Sequence, residues 1–114
     1  MSDLARIEAT NVGGAPLVRV SGEVDLSNAQ DVMAAICRAV PNDASLVVVD
    51  LSDTAYLDSS GIAMLFRLAE RLHYGRQEIR LVVPADAPIR AALELTNLHE
   101  VVPVVKEGPR TSSP

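Results

Sequence analysis

The feature that most constrains the fold is residues 46–72, in which an aliphatic run leads through a short polar segment into apolar residues at helical spacing. The consecutive aliphatic residues 46–49 are typical of a strand that is covered on both faces. Residues 58–61 read Asp-Ser-Ser-Gly. After them the apolar side chains recur at intervals of three or four, at Ile62, Leu65, Phe66, Ala69 and Leu72. The pattern predicts a buried strand followed by a helix over residues 59–73, with two serines at its start.

Extended and helical patterns alternate along the rest of the chain. Gly13 and Gly14 separate two apolar segments and predict a hairpin, because glycine readily adopts positive φ. The predicted order is β-β-α-β-α-β-α-β, with strands near residues 4–9, 16–20, 46–51, 79–83 and 101–105 and helices near residues 27–40, 59–73 and 86–95. Strands that alternate with helices imply right-handed crossovers. The expected fold is therefore α/β: a mixed, mostly parallel sheet of about five strands with three or more helices.

Capping residues set the predicted helix ends. Ser27, with Gln30 three residues later, matches a capping box at the start of the first helix. Asp86 is the expected N-cap of the third helix, and Gly75 is the expected stop of the second. Pro103 lies within the last predicted strand, where its missing N–H favours an edge position or an irregular strand.

Length and composition predict a small cytoplasmic domain. The 114 residues favour one domain over residues 1–105, followed by a polar tail over residues 106–114 that we expect to be disordered. A single cysteine fits a reducing compartment. No apolar run approaches the roughly 20 residues that span a bilayer, and the first residues lack the pattern of a secretion signal.

The charge balance disfavours nucleic acid as a direct partner. The chain carries 15 acidic and 10 basic residues, for a net charge of −5. It has no tryptophan, two tyrosines and one phenylalanine, so base stacking has few candidate platforms. Binding to a phosphate backbone would need a local basic patch.

The usual enzymatic patterns are incomplete around the two serines. A hydrolase elbow needs a small residue ahead of the nucleophile and a histidine base, whereas Leu57 and Asp58 precede Ser59. His73 lies roughly 20 Å from Ser60 along the predicted helix, and His99 follows the third helix. A Walker-type lysine is missing, and neither histidine has further ligands at metal-binding spacing. A small nucleotide-binding or hydrolytic α/β protein remains a distant alternative.

A serine at a helix start is well placed to carry a phosphate. The first turn of a helix leaves about four N–H groups without partners and has a partial positive charge. A phosphate on Ser60 would therefore be tolerated by the fold itself.

These residues resemble a known family. Asp58-Ser59-Ser60-Gly61 between a valine-rich strand and an aliphatic helix is similar to the signature of the STAS domain, and more closely to the free-standing bacterial anti-sigma factor antagonists. Gly22-Glu23-Val24-Asp25 resembles the second motif of that family. The resemblance covers about residues 5–105 and implies the STAS fold.

The resemblance also implies a function in partner switching, in transcription and stress regulation. The unphosphorylated protein would bind an anti-sigma factor with serine kinase activity and release the sigma factor. Ser60 matches the phosphate acceptor, Ser59 matches the position before it, and Asp25 and Asp58 match the acidic positions that flank it. A serine phosphatase would restore the free hydroxyl. The protein would be a substrate rather than an enzyme and would need no cofactor of its own, since ATP and Mg²⁺ belong to the kinase.

The same resemblance leaves one alternative open. A STAS subunit of a stressosome-type complex or of a lipid-transport ABC complex would use the same fold and present the serine to other partners.

One face of the second helix is a candidate partner surface. At 100° per residue, Ser60, Met64, Arg67 and Arg71 fall on one side, away from the predicted core stripe. We expect Met64 to contact the partner as an adaptable apolar side chain, and the two arginines to meet acidic groups.

Overall fold

The computed structural model describes residues 4–107 and contains a single mixed sheet with helices. The elements in chain order are β1 (Ala5–Val12), β2 (Ala15–Val24), α1 (Ala29–Ala39), β3 (Leu46–Asp50), β4 (Thr54–Leu57), α2 (Ser59–Tyr74), β5 (Glu78–Val82), α3 (Arg90–Leu95), a 3₁₀ turn (Leu98–Glu100) and β6 (Val104–Val105). The predicted order is confirmed, with one additional strand, β4. The predicted tail lies outside the described residues from residue 108 onwards.

The sheet is mostly parallel, as predicted. Its strand order is β1-β2-β3-β5-β6, and β4 pairs with β2 beside that path. Only the β1–β2 pair is antiparallel among the described strands. The hairpin turn between them has φ of 59° at Gly13 and 85° at Gly14, which only glycine adopts readily at both positions. The sequence prediction of a glycine hairpin is confirmed.

Strand β2 changes its neighbour part of the way along its length. Its first half pairs with β3, and its last three residues pair with β4, with a register shift between Gly22 and Glu23. Gly22 has φ of 92°, and a Cβ built there would lie 2.1 Å from the Leu4 carbonyl oxygen. Glycine is therefore required at the bend that carries the end of β2 away from β3 and towards β4.

All three helices pack on one face of the sheet. Alternate strand residues, such as Val18, Val47 and Leu81, join the buried residues of the helices in the main core. On the other face, Leu17, Val48 and Val82 form a second, smaller apolar cluster. Strand β3 is thus buried on both faces, as its uninterrupted aliphatic run predicts.

Strand β4 was not predicted because its sequence lacks a strand pattern. Only Thr54 and Leu57 of its four residues are buried. Thr54 is fully buried and its hydroxyl donates a hydrogen bond of 2.7 Å to the Val20 carbonyl oxygen. A buried polar residue at the start of a four-residue segment gives no periodic signal.

Two predicted helix caps were wrong. The N-cap of α1 is Asn28, while the Ser27 hydroxyl donates to Asp25 instead of capping the helix. Asp86 does not begin α3, because the chain first makes turns in which Ala87 N–H donates to the Pro84 carbonyl oxygen. The helix starts only at Arg90, and its last residue, Leu95, is 86% exposed.

The last strand is shorter than predicted. The N–H groups of Val101 and Val102 both donate to the Leu98 carbonyl oxygen, so these residues continue the preceding 3₁₀ turn. Pro103 has no N–H, but its carbonyl oxygen accepts a hydrogen bond from Leu81 N–H. The strand is irregular and lies at the sheet edge, as the proline predicts.

Candidate functional site

The candidate site forms where the end of β2 meets the start of α2. Strands β2 and β4 run parallel with Val24 opposite Leu57, so the segments that follow them emerge side by side. Asp58 N–H then donates to the Val24 carbonyl oxygen at 3.2 Å. This pairing brings both sequence motifs to one edge of the sheet.

Asp58 caps α2 and also holds the neighbouring loop. One carboxylate oxygen accepts hydrogen bonds from the backbone N–H groups of Ser60, at 2.8 Å, and Gly61, at 3.0 Å. The other oxygen accepts from Leu26 N–H at 3.1 Å, in the loop between β2 and α1. A single side chain therefore fixes the serine-bearing turn relative to the second motif.

The capped turn changes the expectation for a bound phosphate. The N–H groups of Ser60 and Gly61 donate to the Asp58 side chain, and Ile62 N–H donates to the Asp58 carbonyl oxygen. The sequence prediction that these helix-start N–H groups are without partners is therefore wrong. A phosphate on Ser60 would instead lie near a carboxylate, and like charges repel.

The two serines differ in their surroundings. Ser59 is exposed and Ser60 is half-buried, and both line a groove between α1 and α2. The Ser60 hydroxyl forms no side-chain hydrogen bond within residues 4–107, whereas its backbone is fixed by Asp58. The hydroxyl oxygen is thus held at the groove without being engaged by the fold.

Gly61 is needed for close packing rather than for backbone freedom. A Cβ built on Gly61 would lie 2.8 Å from the Val24 carbonyl oxygen and 3.0 Å from Leu57 Cδ2. The absence of a side chain lets the first turn of α2 approach the end of β2. The glycine of the motif therefore sets the position of Ser60 relative to the β2–α1 loop.

The loop between β2 and α1 is held by its own side chains. The Asp25 carboxylate accepts from Ser27 N–H at 2.9 Å and from the Ser27 hydroxyl at 2.5 Å. Asn28 is 2% exposed; its side-chain oxygen accepts from Asp25 N–H and its amide group donates to the Glu23 carbonyl oxygen, each at 2.9 Å. Asp25 shapes the loop beside the site, and within the described residues its carboxylate forms no hydrogen bond to α2.

Asn28 and Leu26 were not identified from the sequence. Asn28 lies directly before an apolar helical stripe, where an asparagine suggests an ordinary cap, yet its side chain forms no capping bond. Leu26 is a large apolar residue between two motif residues and is 81% exposed. The sequence signal for Leu26 is its position, because it is a large apolar residue between the motif residue Asp25 and the start of a helix.

The groove beside Ser60 has a mixed lining. It has a volume of about 470 Å³ and is lined mainly by the apolar residues Leu26, Met33, Ala63 and Met64, together with Ser60 and Arg67. Residues from α1 form one wall and residues from α2 form the other. The hydroxyl of Ser60 thus borders a groove with both apolar and polar walls, and Arg67 contributes a cation to the lining.

The predicted exposure of Met64 was wrong. Met64 is 3% exposed and belongs to the main core, because α1 packs beside α2 and covers this flank of the helix. It forms part of the groove lining and does not project into solvent. Arg67 and Arg71 are exposed, as predicted, and neither forms an ion pair with a residue of the described chain.

The structure places neither histidine beside the serines. His73 is in the last turn of α2, whereas Ser60 is in the first, and His99 lies in the 3₁₀ turn. Within residues 4–107 no three His, Cys, Asp or Glu side chains are arranged to hold a metal ion. None of the helices in that range is long and apolar enough to cross a membrane.

Comparison with known proteins identifies the family to which this chain belongs. Residues 6–108 match the family model described as the STAS domain. An anti-sigma factor antagonist from Mycobacterium paratuberculosis is 27% identical, with a TM-score of 0.79 over 90% of this chain and 86% of that one. Comparison with curated protein sequences gave no match.

Two further structures share the fold at lower identity. The anti-sigma factor antagonist SpoIIAA in its unphosphorylated form is 16% identical, with a TM-score of 0.61 over 90% of this chain and 89% of that one. The Bacillus cell fate determinant SpoIIAA in its phosphorylated form is 17% identical, with a TM-score of 0.57 over 90% and 92%. At these identities the likeness extends to the fold alone.

Proposed function

The chain belongs to the STAS domain family, and we propose that it acts as an anti-sigma factor antagonist whose partner depends on the covalent state of Ser60. The unphosphorylated protein binds an anti-sigma factor serine kinase, which then releases its sigma factor for transcription. Phosphorylation at Ser60 ends that binding, and a serine phosphatase reverses it. The protein acts in the cytoplasm as a substrate of these enzymes, without direct contact to nucleic acid or membrane.

The observation that carries the proposal is the placement of the Ser60 hydroxyl. It lies in the first turn of α2 at the edge of a groove, its backbone is fixed by Asp58, and its oxygen forms no side-chain hydrogen bond in the described chain. An acceptor oxygen that the fold does not use is available to another protein's active site. Ser59 is more exposed than Ser60 and serves as the control position for phosphorylation.

The transfer itself requires no catalytic group of this chain. Ser60 Oγ attacks the γ-phosphorus of ATP in the kinase, a new O–P bond forms, and the bond from that phosphorus to the β–γ bridging oxygen breaks to release ADP. The hydroxyl proton passes to a base of the kinase. The contribution of this chain is to fix the backbone that carries the oxygen and to present the oxygen at the groove.

The added charge accounts for the release. A phosphoserine carries about −1.5 to −2 charges at neutral pH. It would lie near the Asp58 carboxylate, whose oxygens already accept from three backbone N–H groups. A partner surface that fits a neutral hydroxyl would have to desolvate this charge, at a cost of several kcal/mol. A loss of about 4 kcal/mol corresponds to roughly a thousandfold in affinity.

The proposal is tested by mixing the purified protein with anti-sigma serine kinases of its source organism and ATP. Mass spectrometry of proteolytic fragments locates any added phosphate. We expect one phosphate on Ser60, no phosphate on Ser60→Ala, and normal phosphorylation of Ser59→Ala. Phosphate on Ser59 alone, or recovery of an ABC-type ATPase as the stable partner in place of a kinase, would contradict the proposal.

A further inference from the structure

One exposed apolar side chain borders the groove that contains Ser60. Several large apolar residues within residues 4–107 are exposed, and of these Leu26 is the one that lines this groove. It is 81% exposed, although the loop that carries it lies against the first turn of α2. Single exposed apolar side chains are common on protein surfaces, but Leu26 differs from the others because a partner that occupies this groove would remove its apolar surface from water.

The main chain at Leu26 is held rigidly on both sides. Its own N–H donates to Asp58, the next N–H, of Ser27, donates to the Asp25 carboxylate, and Asn28 binds the N–H of Asp25. The loop is therefore ordered in the unbound domain. A main chain that is already ordered loses little conformational entropy on binding, which favours a net gain from the contacts of this loop.

We infer that Leu26 is an apolar anchor that the anti-sigma serine kinase covers when it binds, an inference that rests on the proposed function. The kinase would supply an apolar pocket for Leu26 and an acidic side chain for Arg67 on the opposite wall of the groove. Arg67 is exposed without an ion pair in the described chain, and it lies on a protein whose net charge is −5. A positive site on an acidic protein selects an acidic partner surface by charge complementarity.

Two properties of the site, its phosphorylation state and its choice of partner, depend on different residues. Ser60 reports the phosphorylation state, whereas Leu26 determines which partner fits. Both line the same groove, so a partner that fills this groove contacts both of them. The anchor is therefore continuous with the surface around the acceptor serine rather than a second, remote site.

The test measures the affinity of the kinase that modifies Ser60 for wild-type protein, Leu26→Ala, Leu26→Met and Leu95→Ala. Leu95 is a matched control, because it is 86% exposed at the end of α3 and does not line the groove. We expect Leu26→Ala to raise the Kd by about tenfold or more, with Leu26→Met within about threefold of wild type. Leu95→Ala should bind as wild type, and all variants should have unchanged thermal unfolding.

The outcomes distinguish this inference from the function on which it rests. If wild-type protein binds the kinase and Leu26→Ala binds equally well, the anchor is wrong and the proposed function stands. If no anti-sigma kinase binds the wild-type protein, both are wrong. Concentration-dependent dimerisation of wild-type protein that disappears in Leu26→Ala, with kinase binding unchanged, would assign Leu26 to a second copy and overturn the inference.

Discussion

The Asp58 carboxylate accepts a hydrogen bond from Leu26 N–H at 3.1 Å and thereby joins two segments that are 32 residues apart in the chain. The other oxygen of the same carboxylate caps α2. One side chain thus sets the position of Ser60 and of the loop beside it. The first prediction concerns this shared group.

Replacing Asp58 with alanine should destabilise the domain by about 1–2 kcal/mol, because the helix loses its cap and the loop loses its acceptor. The free energy of unfolding from urea titration measures the loss. Asp86→Ala is the matched control, since Asp86 is exposed and does not begin a helix, and it should change stability by less than about 0.5 kcal/mol. Equal effects of the two substitutions would contradict the role of the cap.

Asn28→Ala should cost about 2 kcal/mol of stability, because it removes a buried amide that pairs with Asp25 N–H and the Glu23 carbonyl oxygen. Asn42→Ala, at an exposed turn position, should be nearly neutral. Thermal unfolding compares the two variants. An Asn28→Ala protein as stable as wild type would show that these hydrogen bonds contribute little to holding the loop.

Gly61→Ala should destabilise the domain by about 1–3 kcal/mol, because the new methyl group would press on the Val24 carbonyl oxygen and on Leu57. Gly75→Ala supplies the comparison. Gly75 has φ of −81°, and the nearest atom to a Cβ there is a side-chain oxygen of Gln77 at 3.4 Å. We expect Gly75→Ala within about 0.5 kcal/mol of wild type in chemical denaturation. A larger loss of stability for Gly75→Ala than for Gly61→Ala would contradict the close approach of α2 to β2 at Gly61.

Ser60→Ala should bind the anti-sigma kinase about as well as wild type, whereas Ser60→Asp should bind at least about a hundredfold more weakly. The reason is that aspartate places a charge near Asp58 in an interface that fits a neutral group. Isothermal titration calorimetry gives both affinities. Similar affinities for the two variants would mean that charge at Ser60 does not control binding.

Reversing the charge of Arg67 or Arg71 should slow association with the kinase and weaken its dependence on salt, because both arginines are exposed and unpaired in the described chain. Arg6→Glu, on the edge strand β1, is the control and should associate at the wild-type rate. Stopped-flow measurements of the association rate at several ionic strengths distinguish the Arg67 and Arg71 variants from the Arg6→Glu control. Unchanged association of Arg67→Glu and Arg71→Glu would remove the arginines from the interface.

Local patterns in the sequence predict the parts of the fold that depend on local interactions. The aliphatic run of β3, the periodic stripe of α2 and the paired glycines of the hairpin are each determined by neighbouring residues. The start of α3 departs from the prediction because turns after Pro84 displace Asp86 from the helix. A short-range signal can thus be overridden by the next few residues.

The candidate site was predicted less completely because it depends on long-range packing. A helical wheel places Met64 by its angle alone, and it cannot show that α1 covers that side of α2. In the same way, the Asp58–Leu26 hydrogen bond depends on where β2 and β4 end in space. Asp58 and Gly61 could be identified from the motif, whereas Leu26 and Asn28 become recognisable only when the two loops are seen together.

The positive φ at Gly22 determines what a substitution at that position would do to the protein. The bend there directs the last three residues of β2 onto β4, while the first half and the main core are assembled with β3. A side chain at position 22 would combine a positive φ with a clash against the Leu4 carbonyl oxygen, so β1 and the end of β2 would have to move apart, at a larger cost in stability than a side chain at Gly61. We expect such a substitution to reduce the amount of folded protein in a cell, although position 22 does not line the groove that contains Ser60.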